Sequence, residues 1–263
     1  MTSTSTTAAS ELPRVHRFLS EFHRRQAART VGFPGAFAVL DDAYANSRGN
    51  NHLLVDGAVD PEALPGYAEE ALGHLPYRCV YVLDETVAAA CRAPMERAGY
   101  RHATTMLMAH TGPVPEHGGA AEVDFDELRE PVAASWPRFA PQAPPEHIRD
   151  LVERRVARRR GADDVRFFAA RTPTGEVAAW VDLYMDPATG TAQIEDLVTV
   201  EAHLGQGYAG KVLDTALREA ADAGCSTRFL TAFADDWPRH WYGRKGFATI
   251  GSVARFERIR ERA

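Results

Sequence analysis

Gln193-Ile194-Glu195-Asp196-Leu197-Val198-Thr199-Val200, then Glu201-Ala202-His203-Leu204-Gly205-Gln206-Gly207-Tyr208-Ala209-Gly210-Lys211, then Val212-Leu213-Asp214-Thr215-Ala216 decide the reading of this chain. The first block is β-prone and apolar at Ile194, Leu197, Val198 and Val200. The second is a turn in which Gly205, Gly207 and Gly210 let the backbone bend without a Cβ clash. In the third, Val212, Leu213, Ala216, Leu217 and Ala220 recur at helical spacing, so one face of a helix packs on a sheet. A strand, a glycine turn and a helix start form an anion site, because the first N–H groups of the helix are free and its dipole is positive there. The expected tenant carries phosphate.

Working outward, 165–171, 176–185 and 191–200 read as an antiparallel meander. Its turns fall at 172–175 and 186–190, rich in Pro, Thr and Gly. After the glycine helix come a strand over 227–233, a short helix over 236–245 and a last strand over 247–257. The six residues Gly205-Gln206-Gly207-Tyr208-Ala209-Gly210 fit the dinucleotide pattern G-x-G-x-x-G. A nucleotide-dependent oxidoreductase, however, places that turn early and follows it with several βα units. Here too few elements follow. Asp235 stands where a ribose-binding acid would, but Asp235-Asp236-Trp237-Pro238 reads as a capped helix start.

The 111–120 segment, Thr-Gly-Pro-Val-Pro-Glu-His-Gly-Gly-Ala, clusters Pro and Gly and reads as a linker. The half before it, 1–110, is a smaller α/β domain: a helix over 12–28 with Val15, Phe18, Leu19 and Phe22 on one face, strands over 35–40 and 52–56, a helix over 61–72, a strand over 77–83, a helix over 86–98 and a strand over 101–110. Its strand–helix joints carry Asp60-Pro61 and Asp84-Glu85, acids that occupy a helix start themselves.

The loop over 204–209 resembles the pyrophosphate loop of the GCN5-related N-acetyltransferases, with Gly207 and Ala209 matching and Leu204 standing where that family carries Arg or Gln. Trp241-Tyr242-Gly243-Arg244-Lys245-Gly246-Phe247 resembles the same family's Leu-Tyr-x-x-x-Gly-Phe signature. The resemblance spans about 121–258 and implies a mixed, largely antiparallel sheet flanked by helices, with an acetyltransferase domain over 121–263. Ala98-Gly99-Tyr100 before a strand echoes Gly246-Phe247, so 1–110 reads as a degenerate copy of the same fold.

The resemblance implies acetyl-CoA as cosubstrate and a primary amine, on a small molecule or peptide, as acceptor. Backbone N–H groups of Gly205, Gln206, Gly207, Tyr208, Ala209 and Gly210 would hold the pyrophosphate, with Gln206 and Lys211 adding side-chain contacts and Asp235 near the cofactor. Val198 and Val200 would hydrogen-bond the pantetheine along an exposed strand edge. Tyr242 would be the general acid, since a phenol stays protonated at neutral pH. Glu195 is the candidate base, its pKa raised by apolar neighbours. Asp196 competes, pointing to the opposite face, and His203 and His240 follow. A non-catalytic acyl-CoA-binding module is the alternative.

The chain has 263 residues, a net charge of −6 and 45% apolar residues. That balance speaks against binding nucleic acid through bulk charge. The run 151–160 holds five arginines and reads as a solvated basic helix face, or as a contact for an acidic substrate or the cofactor's 3′-phosphate. Cys79, Cys91 and Cys225 have no metal spacing and read as packed thiols of a reducing cytoplasm, with no metal site implied. No signal-peptide core or membrane-length apolar run is visible. A homodimer is common among resembling proteins.

Overall fold

Val15, Phe18, Leu19 and Phe22 are all buried, packing against Phe37, Leu54, Leu107 and Phe229 from four different strands. They lie on helix α1 (Ser3–Gln26) of a computed structural model that describes residues 3–259, with side chains from Glu11 onward. The first half continues with β1 (Arg29–Phe33), β2 (Ala36–Leu40), β3 (His52–Val55), α2 (Leu64–Leu72), β4 (Tyr77–Val82), α3 (Glu85–Arg97) and β5 (Arg101–His110). The second half adds β6 (Ala121–Val123), α4 (Phe125–Phe139), α5 (Pro145–Arg158), β7 (Asp164–Arg171), β8 (Val177–Asp186), β9 (Thr191–Thr199), α6 (Tyr208–Asp222), β10 (Thr227–Phe233), α7 (Pro238–Arg244) and β11 (Phe247–Ile259). The expected meander is β7–β8–β9, antiparallel throughout.

All eleven strands join one sheet in the order β1-β2-β3-β4-β11-β5-β10-β9-β8-β7-β6. Only β3/β4 and β9/β10 pair in parallel. The fold is thus α/β with a largely antiparallel sheet flanked by helices, as the sequence implies. Alternation along the strands sends apolar side chains to both faces. Helices α2 and α3 cover Val80, Val82, Ala254 and Phe256, while α6 covers Val181, Leu183 and Ile194 on the same face. Helices α1, α4 and α5 cover the opposite face.

Segment 111–120 separates the halves along the chain but not in the sheet. Strand β11, the last of the second half, pairs with β4 and β5 of the first, and β5 in turn pairs with β10 of the second. The two halves have exchanged their final strands. Each exchanged strand follows a helix through a left-handed glycine, Gly99 (φ 83°) and Gly246 (φ 88°), and a buried aromatic follows each glycine, Tyr100 just before β5 and Phe247 at the start of β11. The sequence echo between these two sites therefore has a structural counterpart. The 111–120 segment is a docked strap. Gly119 and Ala120 donate to Thr215 Oγ1 at 3.0 and 3.1 Å, and a Cβ on Gly118 would stand 2.1 Å from that oxygen.

Cys79, Cys91 and Cys225 are buried and unbridged. Among the described residues no helix is long and apolar enough to cross a membrane.

Candidate active site

The turn before α6 is built as the glycines require. Gly205 (φ 74°) and Gly207 (φ 84°) are both left-handed, and Gly207 caps the helix. The N–H groups of Gly205, Gln206, Gly207, Tyr208 and Ala209 have no hydrogen-bond acceptor among the described residues. The helical ladder begins only at Gly210 and Lys211, whose N–H groups both donate to Gly207 O, at 3.1 and 3.3 Å. Five consecutive free donors at a positive helix end form an anion cradle that fits a pyrophosphate. Gly210 falls outside it, contrary to the sequence expectation, because its N–H closes the first turn.

Two side chains also differ from expectation. The Gln206 amide folds back onto Ala202 O at 3.1 Å, bracing the preceding turn. Lys211 Nζ sits 4.8 Å over the Tyr208 ring, and Tyr208 itself is packed in the core. Lys245 was missed: a Cβ on Gly210 would lie 3.3 Å from its Nζ, so this ammonium flanks the cradle. Its signal was its place in the Trp241–Phe247 motif, one turn past Tyr242. Leu204 is 48% exposed at the cradle's edge. Asp235 is exposed in the turn after β10 and makes no side-chain hydrogen bond among the described residues, while Asp236 accepts from Trp237 N at 2.7 Å.

Strands β9 and β10 pair from Thr191↔Thr227 to Ile194↔Leu230 and then part, although both run several residues further. The parting coincides with a bulge in β9. The register against β8 slips between Trp180↔Val198 and Asp182↔Glu195, and Asp196 takes a left-handed conformation (φ 48°). The extra residue resets the alternation. Ile194 and Leu197 pack on the α6 face, while Val198 and Val200 pack with α4 and α5.

The bulge also corrects which backbone groups are free. Val200 N–H donates to Ala178 O at 2.9 Å, and antiparallel alternation turns the peptide groups of Val198 the same way. The peptide groups facing the gap toward β10 are therefore those of Leu197 and Thr199, not of Val198 and Val200. Thr199 O accepts from Arg138 Nη1 at 3.2 Å.

The arginine run of α5 is not a solvated face. Arg155 is 2% exposed, and Arg154 and Arg158 are nearly as deep. Arg155 bonds Asp182 (2.9 Å) and Asp196 (2.9 Å), Arg154 reaches Asp196 (3.0 Å), and Arg158 bonds Asp196 (2.8 Å) and the Tyr184 hydroxyl (2.9 Å). Sequence reasoning missed this because the partner acids lie on β8 and β9. Arg155 touches both acids, so the bulge brings Asp196 to the face of Asp182 and Glu195 rather than to the opposite one. Burial alone would raise the Asp196 carboxyl, but Arg154, Arg158 and Arg155 outweigh it and hold it well below the carboxylate range. Asp196 is thereby a brace for the bulge.

Glu195 accepts from Gln193 Nε2 at 2.8 Å on the same face. Burial, then repulsion from Asp196, raises its pKa. Burial, with Glu195 nearby, also raises the Tyr242 phenol. Tyr242 packs edge-on to Trp241 (5.2 Å) and Phe247 (5.8 Å) beside the α6 core. The structure thus brings Glu195, Tyr242, the β9 gap and the N–H cradle to one region. His203 stands 5.9 Å from the Tyr208 ring, outside this group, and His240 is exposed.

Residues 126–247 match the model of the Acetyltransferase (GNAT) family. The second half of the chain carries a GNAT-family domain. Solved structures extend the likeness of fold across both halves. A GCN5-related N-acetyltransferase from Kribbella flavida is 18% identical with a TM-score of 0.61, over 92% of this chain and 94% of that one. A functionally unknown conserved protein from Staphylococcus epidermidis is 13% identical with a TM-score of 0.62, over 88% and 94%. A GNAT-family acetyltransferase from Colwellia psychrerythraea is 15% identical with a TM-score of 0.54, over 95% and 97%. No curated protein matches the chain.

Proposed function

We propose that this GNAT-domain protein is an acetyl-CoA-dependent N-acetyltransferase that acetylates a primary amine. The observation that carries this reading is the pairing of five free N–H groups before α6 with the open edge of β9 beside it. The cradle suits a pyrophosphate, with Lys245 supplying positive charge, and the peptide groups of Leu197 and Thr199 suit the amides of a pantetheine arm. Acetyl-CoA supplies the acetyl group as a thioester.

Glu195 and Tyr242 are suited to opposite proton transfers. As the amine nitrogen bonds the acetyl carbon and the C–S bond breaks, Glu195 accepts the proton the amine loses, directly or through water. Tyr242, kept protonated by its raised pKa, gives a proton to the departing thiolate.

Calorimetric titration with acetyl-CoA, with NADH in parallel, tests the cradle. Micromolar acetyl-CoA binding without an NADH response is expected, and absence of acetyl-CoA binding overturns the reading. Tyr242→Phe is expected to lower turnover about 100-fold while acetyl-CoA affinity holds. Binding with no thiol release from any amine would instead favour a non-catalytic acyl-CoA-binding module.

A further inference from the structure

The strand exchange makes one continuous surface from the catalytic strands into the first half, and a guanidinium with no acidic partner among the described residues stands on it. Arg255 lies on β11, in register with Tyr81 of β4 and Ala103 of β5. It shares its face with Val253, which packs in the α1 core, and therefore faces the side on which Glu195 lies. Its guanidinium carbon is 5.1 Å from the ring centroid of Phe233, the last residue of β10, past the point where β10 leaves β9. Phe233 is 49% exposed.

Arg255 is half-buried, its Nε is enclosed without a hydrogen bond, and it has no acidic partner among the described residues. The arginines of α5 on the same face are all paired to Asp182 or Asp196. Glu257, the nearest acid along β11 on that face, is engaged by Arg48. An enclosed guanidinium Nε beside an aromatic leaves a hydrogen bond unmade, and an anion from outside the chain would complete the arrangement. Ala103, a small neighbour on β5, leaves it room.

Taking the transferase reading as its basis, we propose that the acceptor is an amine that also carries a carboxylate, and that Arg255 holds that carboxylate. The planar fork of an arginine suits a bidentate carboxylate. The span is also informative. The guanidinium reaches β10, and the gap opens on that strand's other side, so carboxylate and amine stand at least one strand spacing apart, about 5 Å. That excludes an α-amine beside its own carboxylate and favours an amine several bonds away.

The test is calorimetric titration of the full chain saturated with CoA, using 5-aminopentanoate, its neutral amide 5-aminopentanamide, and 4-aminobutylphosphonate. The carboxylate is expected to bind at least tenfold more tightly than the amide, the range of one charge-assisted contact. Arg255→Gln should erase that preference, and Arg255→Lys should restore part of it. Equal binding of acid and amide, or a preference that survives Arg255→Gln, overturns the proposal. Tighter binding of the phosphonate overturns it in favour of a phosphate-bearing amine. Acetyl-CoA affinity, measured on the same samples, separates the two claims: if it is intact while the carboxylate preference is missing, only this proposal falls.

Discussion

The two halves repeat one plan and differ in three places. In the first, β3, α2, β4, α3 and β5 follow one another as β9, α6, β10, α7 and β11 do in the second, and each half ends on an exchanged strand. But β3 and β4 pair until both end, at Val55↔Val82, with Leu83 N–H closing on Val55 O. No bulge interrupts β3. The turn before α2 is partly closed by its own chain: Glu62 N–H is taken by the Asp60 carboxylate, Ala63 N–H by Asp60 O, and Pro65 has no N–H to offer. The second half has instead a bulge, a splayed pair and a glycine cradle. The comparison teaches that the fold supplies a frame, and that a ligand site arises where hydrogen bonding is left incomplete.

The largest break in the comparison should come from the brace of the bulge. Asp196→Ala strands three buried guanidiniums with Asp182 as their remaining carboxylate partner. We expect a loss of about 3–5 kcal/mol in stability, read by urea unfolding. Asp196→Gly separates the causes, because glycine accepts the left-handed backbone yet lacks the carboxylate. If either variant is as stable as the parent, the cluster does not hold the bulge.

The frame was legible in the sequence because it is written locally. Helical spacing in α1 and α6, alternation in β7–β9 and the left-handed glycines each need only neighbouring residues. Gly207 and Tyr242 could be singled out for the same reason, since each sits in a short motif. The burial of the α5 arginines was hidden because their partners, Asp182 and Asp196, come from two other strands. The shift from Val198 and Val200 to Leu197 and Thr199 was hidden because a bulge leaves no mark in composition, and one inserted residue reverses every peptide group beyond it. Arg255 was unreadable for a further reason: its place depends on the strand exchange, which no local pattern encodes.

A middle-sized effect should come from the histidine pair beneath α1 in the first half. His52, on β3, lies 4.6 Å from His23 of α1 and 5.1 Å from Tyr81, and both imidazoles are enclosed. Burial depresses His52 from 6.5 to about 4, and burial, His52 and Arg158 depress His23. A lowered folded pKa means that the unfolded chain takes up the proton first. The stability is therefore fully present above about 6.5 and is lost as pH falls toward about 4. His52 alone should cost about 2 kcal/mol between pH 7 and pH 5. Urea midpoints across that range should fall for the parent and flatten for His52→Gln. Equal slopes would remove His52 from the account.

The smallest effect sharpens the comparison at the cradle itself. Leu204 is half-exposed where the resembling loop carries Arg or Gln, so the five free N–H groups of the cradle stand without a side-chain cation at that edge. Leu204→Arg adds a charge near the phosphates, but water and salt screen an exposed pair. We expect acetyl-CoA to bind about three- to tenfold more tightly at low salt, with the gain fading in concentrated salt. The matched control is Ala63→Arg, which places the same charge before α2. There Asp60 occupies the turn and no run of free donors precedes the helix, so an added cation has no anion to hold and affinity should not move. If Ala63→Arg tightened binding as much as Leu204→Arg, the gain would be long-range attraction by net charge, and the cradle would lose its claim to be the site.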